Sequence, residues 1–276
     1  MTKQMWGKCA AGLGIVTFGI SAALPAQTAA PDPWKRVPPV PTSCYADAEF
    51  ATQVNATIQE TSADIDRQKD LNATVKERFD AMDIMEKAQR MQAFMMKNPQ
   101  EAMKLMQADP AAVASATAAV QATARLDKEL ADHKSAFEAA VDKAVKPVLA
   151  RQEVLIQTTA KFVGEGVLAA ADHAQHVALV QQENAEYEKA CAPYFGPKGA
   201  FNAWLENYRT DVIDKMIAVT EANDAMVVGQ MAIMDTPTGG YRSTAKLEGV
   251  HNYLRQLYKV SSYRRPKARP RFELAK

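Results

Sequence analysis

Glycine is absent from Ile20 to Val163, and the stretch from Thr42 to Asn98 also lacks proline. A chain of strands and tight turns needs both breakers, so this absence argues against a β-rich fold. Strict alternation of apolar and polar residues, the mark of a half-buried strand, is missing as well. So are the nucleotide and catalytic signatures: the sequence has no P-loop, no Gly-x-Gly-x-x-Gly, no Gly-x-Ser-x-Gly and no His-Glu-x-x-His. Helical surfaces always offer Asp and Glu, so no general acid or base stands out. The expectation is a protein that is not an enzyme and needs no cofactor. The rival is an envelope-associated enzyme whose groups are assembled only in three dimensions.

Cysteine is scarce too, with three in 276 residues. Cys9 falls inside an N-terminal export pattern. Lys3 and Lys8 precede the uncharged run Cys9 to Leu24, and "PAQTAA" supplies small residues for cleavage after Ala26 or Ala30. Residues 1–30 therefore read as a cleaved signal peptide. An uncleaved anchor is the alternative, but the run is shorter than the ~20 residues a spanning helix needs. The destination is periplasmic or secreted. Two cysteines then remain, Cys44 and Cys191, and an oxidising compartment predicts a disulfide between them.

What is present favours helix. Residues 31–42 are a proline-rich lead-in, expected to be extended and poorly packed. Beyond them Ala, Gln, Glu, Lys and Met dominate. Val54, Ile58, Thr61, Ile65, Gln68, Asn72, Val75, Phe79 and Met82 alternate four and three apart, a heptad seam with polar members that fix register. Asn98-Pro99 and Asp109-Pro110 are strong helix starts. A second seam runs from Ala119 to Ala144. A third, Leu155 to Cys191, stutters at Gly166, and Pro147 kinks or ends a helix between them. Residues 193–262 read as two further helices around the "DTPTGG" turn. The class is all-α.

Residues 43–108 would span ~100 Å as helix and 110–191 ~120 Å. A disulfide needs Cα atoms within about 7 Å. The simplest path joining Cys44 to Cys191 is one long antiparallel, coiled-coil-like hairpin over 43–192, turning near 109–110. The two C-terminal helices would pack at its base. This puts Met82, Met85, Met91, Met95, Met96, Met103 and Met106, seven of the thirteen methionines, at the tip. Methionine suits adaptable apolar contact. The tip is thus a candidate grip for a protein partner, a client or a second copy. The competing uses are ordinary seam packing and Cu(I) handling through thioether pairs at helix-face spacing. No metal ligand is assigned, because no His or Cys is interleaved.

"MMKNPQEAMKLMQADP" is similar to the short Asx-Pro helical repeats of STI1-type domains of co-chaperones and ubiquilins. That resemblance implies a Met- and Leu-rich groove for apolar segments. It covers about twenty residues.

Charge is split. Tyr241 to Lys276 carries ten basic against two acidic residues; with +2 in the leader and +1 overall, residues 30–240 are left at about −9. Residues 263–276 are expected to form a disordered basic tail. Its Arg264, Arg265, Lys267, Arg269 and Arg271 could contact anionic lipid or cell-wall polymer. Nucleic acid is not indicated. His173 and His176 read as partly buried, hydrogen-bonded histidines, since no third ligand accompanies them. Glu248 and His251 form one Glu-x-x-His pair, and a di-iron bundle needs two.

Overall fold

Three aspartates start helices in the computed structural model. Asp47 accepts from the backbone N–H groups of Glu49 and Phe50 at the head of α1, Ala48–Asp80. Asp83 does the same for Met85 and Glu86 at the head of α2, Ile84–Lys97. Asp109 accepts from Ala111 at the head of α4, Pro110–Val163. Pro99 is the first residue of α3, Pro99–Met106. At both Asx-Pro steps proline occupies the first turn, where its missing N–H costs nothing. Then follow α5 (Ala170–Phe195), α6 (Ala200–Tyr208), a π-helical turn (Arg209–Ile213), α7 (Asp214–Ile233) and α8 (Ala245–Ser261).

The structure describes residues 32–274 except 107–108, 164–166 and 236–237, and not the side chains of 106, 160–163 and 167. The signal-peptide reading lies outside these residues. The class is all-α: the only strands among the described residues are the two-residue β1 (Val167–Leu168) and β2 (Glu273–Leu274), paired in parallel. No described helix is long and apolar enough to cross a membrane.

From Pro33 onward the chain is one unit, organised around the Cys44–Cys191 disulfide, whose Cα atoms are 5.8 Å apart. Around it pack Leu130, Phe137, Tyr187, Phe195, Phe201, Trp204 and Leu257, all buried. Phe137, Phe195 and Phe201 meet edge-on or tilted, with centroids 4.8–5.8 Å apart. Trp204 is fully buried, and its indole N–H donates to the Leu126 carbonyl at 2.8 Å.

The expected hairpin differs from the path the chain takes: the outgoing limb, expected as helix over 43–108, is divided into α1, α2 and α3, and the return overshoots the base. α1 does run out from the disulfide, and α4 does come back from Pro110. But α4 passes the disulfide at Phe137 and continues to Val163. Only then does the chain reverse, and α5 lies antiparallel to the second half of α4, with Gln152 donating to Glu183 and Val148 and Leu155 packed on Leu179. Cys191 therefore closes a third limb. Pro147 sits inside α4 without ending it. The burial of Val145 and Val148 on either side outweighs the ~3 kcal/mol that an interior proline costs. The seam expected to run unbroken from Leu155 to Cys191 is divided between two helices.

Two arms result, sharing α4. In the first, α8 packs back along α1, and α7 packs on the N-terminal half of α4. The polar seam residues of α1 do fix register here. Gln68 donates to the Gly240 carbonyl at 3.0 Å, and the Asn72 amide pairs with both backbone groups of Arg242. The C-terminal helices were expected near the base; instead α7 reaches the far end of this arm, where Met231 and Met234 are buried. The second arm is α5, the C-terminal half of α4 and the chain end.

The lead-in is packed, contrary to its composition. Pro33 and Pro38 are buried, and Trp34 meets Tyr253 edge-on at 5.5 Å beneath the Arg209 guanidinium at 4.3 Å. Flat proline and indole surfaces bury well without helix or strand, provided an aromatic partner is present.

Candidate contact surfaces at the two arm ends

The methionine end is built from α2 and α3. α2 is a fourteen-residue helix with no buried residue. Its exposed side includes Ile84 (80% exposed), Met85 (66%) and Met96 (79%), joined by Met95 and by Met103 of α3. Met82 and Met91 are half-buried, and the Met106 side chain lies outside the described residues. Helix α2 is held by polar contacts rather than by a core. Arg90 donates to the Met234 carbonyl at 2.9 Å and pairs with Asp235 and Glu86. Lys87 sits 4.7 Å over the Phe79 ring. Helix α3 is pinned by Ala102, which is buried, and by Leu105, which approaches so closely that a Cβ on Gly229 would lie 2.5 Å from its Cδ2. Behind them Tyr241 donates to Asp224 at 3.0 Å; burial and that carboxylate raise the phenol to about 12, so it stays protonated.

Methionines at this end thus divide into two kinds. Met231 and Met234 fill the arm's own interior, and Met85, Met96 and Met103 face outward. The cleft beside Leu105, lined by Lys104, Asp109, Asn223 and Met226, holds about 260 Å³. That is below the ~300 Å³ at which small-molecule pockets begin.

The basic chain end is not a free tail. Arg264 is 7% exposed. It donates to the carbonyls of Ser43 and Pro41 at 2.7 and 2.6 Å, and its guanidinium lies 4.0 Å over Phe195. Burial lowers its affinity for the proton to a pKa of about 10, still far above neutrality. Arg265 pairs with Glu183 at 3.2 Å and stacks 4.1 Å over Tyr187. Ala268 exchanges both backbone hydrogen bonds with the Asn184 amide, at 2.8 and 3.1 Å. β2 then reaches β1. Residues 264–274 form a strap along α5, so the expectation of a disordered tail over 263–276 is corrected for the described residues up to Leu274. Like-charge runs stay loose when nothing takes up their charge; here one carboxylate and three aromatic rings do. Arg264 and Arg265 are therefore spent on the fold. Lys267, Arg269 and Arg271 remain exposed, with Lys267 5.8 Å over Tyr45.

Sequence reasoning missed the strap because its partners, Tyr45, Glu183, Asn184 and Tyr187, lie far away along the chain. His173 and His176 were expected to be partly buried and hydrogen-bonded; His173 is half-buried, and His176 is fully buried on α5 and accepts a hydrogen bond from the strap. Glu248 pairs with Lys69 at 2.8 Å. Among the described residues no group of three or more His, Cys, Asp or Glu could hold a metal ion.

No protein family, curated protein or solved structure was found to match this chain. The likeness of residues 95–110 to STI1-type repeats therefore rests on those residues alone.

Proposed function

We propose that this is an exported, non-enzymatic helical protein, chaperone-like or a scaffold, that works by contact through the outer face of α2 and α3. One observation carries the reading: a whole helix without a buried residue presents Ile84, Met85 and Met96 to solvent at the end of an arm. Apolar side chains left out in this way, and held on by peripheral polar bonds, suit an adaptable apolar partner. The Cys44–Cys191 disulfide supports an oxidising compartment such as the periplasm. At the other arm, the exposed Lys267, Arg269 and Arg271 would add a weak, salt-sensitive attraction to an anionic surface.

The test compares the mature chain with a Met85→Ser, Met96→Ser, Met103→Ser variant. Both are assayed for suppressing aggregation of a reduced, unfolded client and for self-association by sedimentation. The expected result is client binding or self-association in the parent and its loss in the variant. Equal behaviour of the two chains, with the variant folded, removes the methionine face from the mechanism.

A further inference from the structure

His176 is 1% exposed on α5 and faces the strap. Its Nε2 accepts the Arg271 backbone N–H at 3.2 Å, and its ring meets Phe272 edge-on at 5.4 Å. Accepting at Nε2 requires the ring's proton to sit on Nδ1, and Nδ1 is buried with no partner. Only the neutral ring fits this arrangement. An imidazolium would carry N–H groups on both nitrogens. One would confront the Arg271 N–H, donor against donor, and the charge would be buried without a counter-ion.

Among the described residues the surroundings supply none. His173 stands one turn earlier on α5, and Arg271 comes from the strap; both oppose a charge on His176. From α4, the pairing of Gln152 with Glu183 and of Leu155 with Leu179 brings the uncharged Thr158 and Thr159 to this level. The β1 strand contributes Leu168, which is buried. The nearest acids in sequence, Asp172 on α5 and Glu273 on the strap, make no ion pair with the ring among the described residues.

We propose that His176 is a proton-operated latch for the end of the strap. While neutral, it holds residues 270–274 on α5. Once protonated, it releases them, and the Arg264–Ala268 portion stays anchored by its own bonds to Ser43, Glu183 and Asn184. Release frees Phe272 and the Arg271 backbone, giving a mobile arm with Arg269, Arg271 and an aromatic residue. The inference does not depend on the role of the methionine face.

The direction follows from linkage. Burial, His173 and Arg271 all depress His176 below its ordinary 6.5. Its contribution to docking is complete above that ordinary value and is lost as pH falls through the depressed one.

The experiment is amide hydrogen exchange and NMR on the full mature chain at about pH 7.5 and about pH 5, corrected for intrinsic rates. Protection of the Arg271 amide is expected to fall by roughly tenfold or more at the lower pH, with protection at Ala268 unchanged. In His176→Gln, whose amide oxygen can accept but does not titrate, protection should persist at both pH values. Protection that survives acid in the parent, or falls equally in His176→Gln, overturns the latch. Should that variant fail to fold, the parent alone decides. The His176 imidazole and the Arg271 amide must titrate with one midpoint, and midpoints more than about one pH unit apart overturn it.

Discussion

The two ends of α4 sit in arms that close in opposite ways. At its N-terminal end, apolar residues of α2 and α3 are left outside, and the helices are held on by Arg90 and Leu105. In the other arm, where the strap passes the disulfide, cations that belong in water are brought inside, over Phe195 and Tyr187. Each arm inverts the usual preference for its surface. The difference is in commitment. The strap has a partner for Arg264, Arg265, Ala268 and the Arg271 backbone, whereas Ile84, Met85 and Met96 stay exposed among the described residues. A surface that satisfies itself stabilises the fold; one that does not is open to another molecule.

Removing the disulfide tests whether the arms share a node. Cys44→Ala with Cys191→Ala should lower unfolding stability by up to about 5 kcal/mol by chain entropy for so long a loop, read by guanidinium denaturation. Hydrogen exchange should show both arms loosened; loss confined to one would break the comparison. Next in size, Met231→Ala empties a fully buried site and should cost about 3 kcal/mol. Arg264→Ala should cost about 2 kcal/mol, because two carbonyls at the disulfide lose their donor. Smallest of all, Met96→Ser should change stability by less than about 0.5 kcal/mol. The ratio of the Met231 and Met96 effects sharpens the distinction between interior and outward methionines. Equal costs would show that the outward face is also structural.

Much of this was legible along the chain. Asn98-Pro99 and Asp109-Pro110 announce helix starts by local chemistry, and local chemistry is what a sequence carries; the Asp47 and Asp83 caps, which have no proline after them, were not read. The disulfide followed from compartment and count. The reversal after Val163 was hidden behind Pro147, the stronger breaker on paper. A proline's cost is fixed, but the gain from packing Val148 and Leu155 on Leu179 depends on a helix that comes later. The strap was hidden for the same reason. "YRRPKARPRF" has the composition of a loose tail, and its rings, carboxylate and amide sit on α5 and the lead-in. Burial of the lead-in likewise waited on Tyr253 and Arg209. The candidate methionine face was placed by a hairpin path that the chain does not follow; α2 and α3 lie against α7 in the first arm.

Helix α4 has a metrical consequence. Fifty-four residues of unbroken helix measure ~80 Å, and both candidate surfaces are referenced to that one rod. Whatever binds the methionine end and whatever meets the basic end would be kept at a set separation, as by a ruler. Inserting one heptad into α4 would lengthen the rod by ~10 Å.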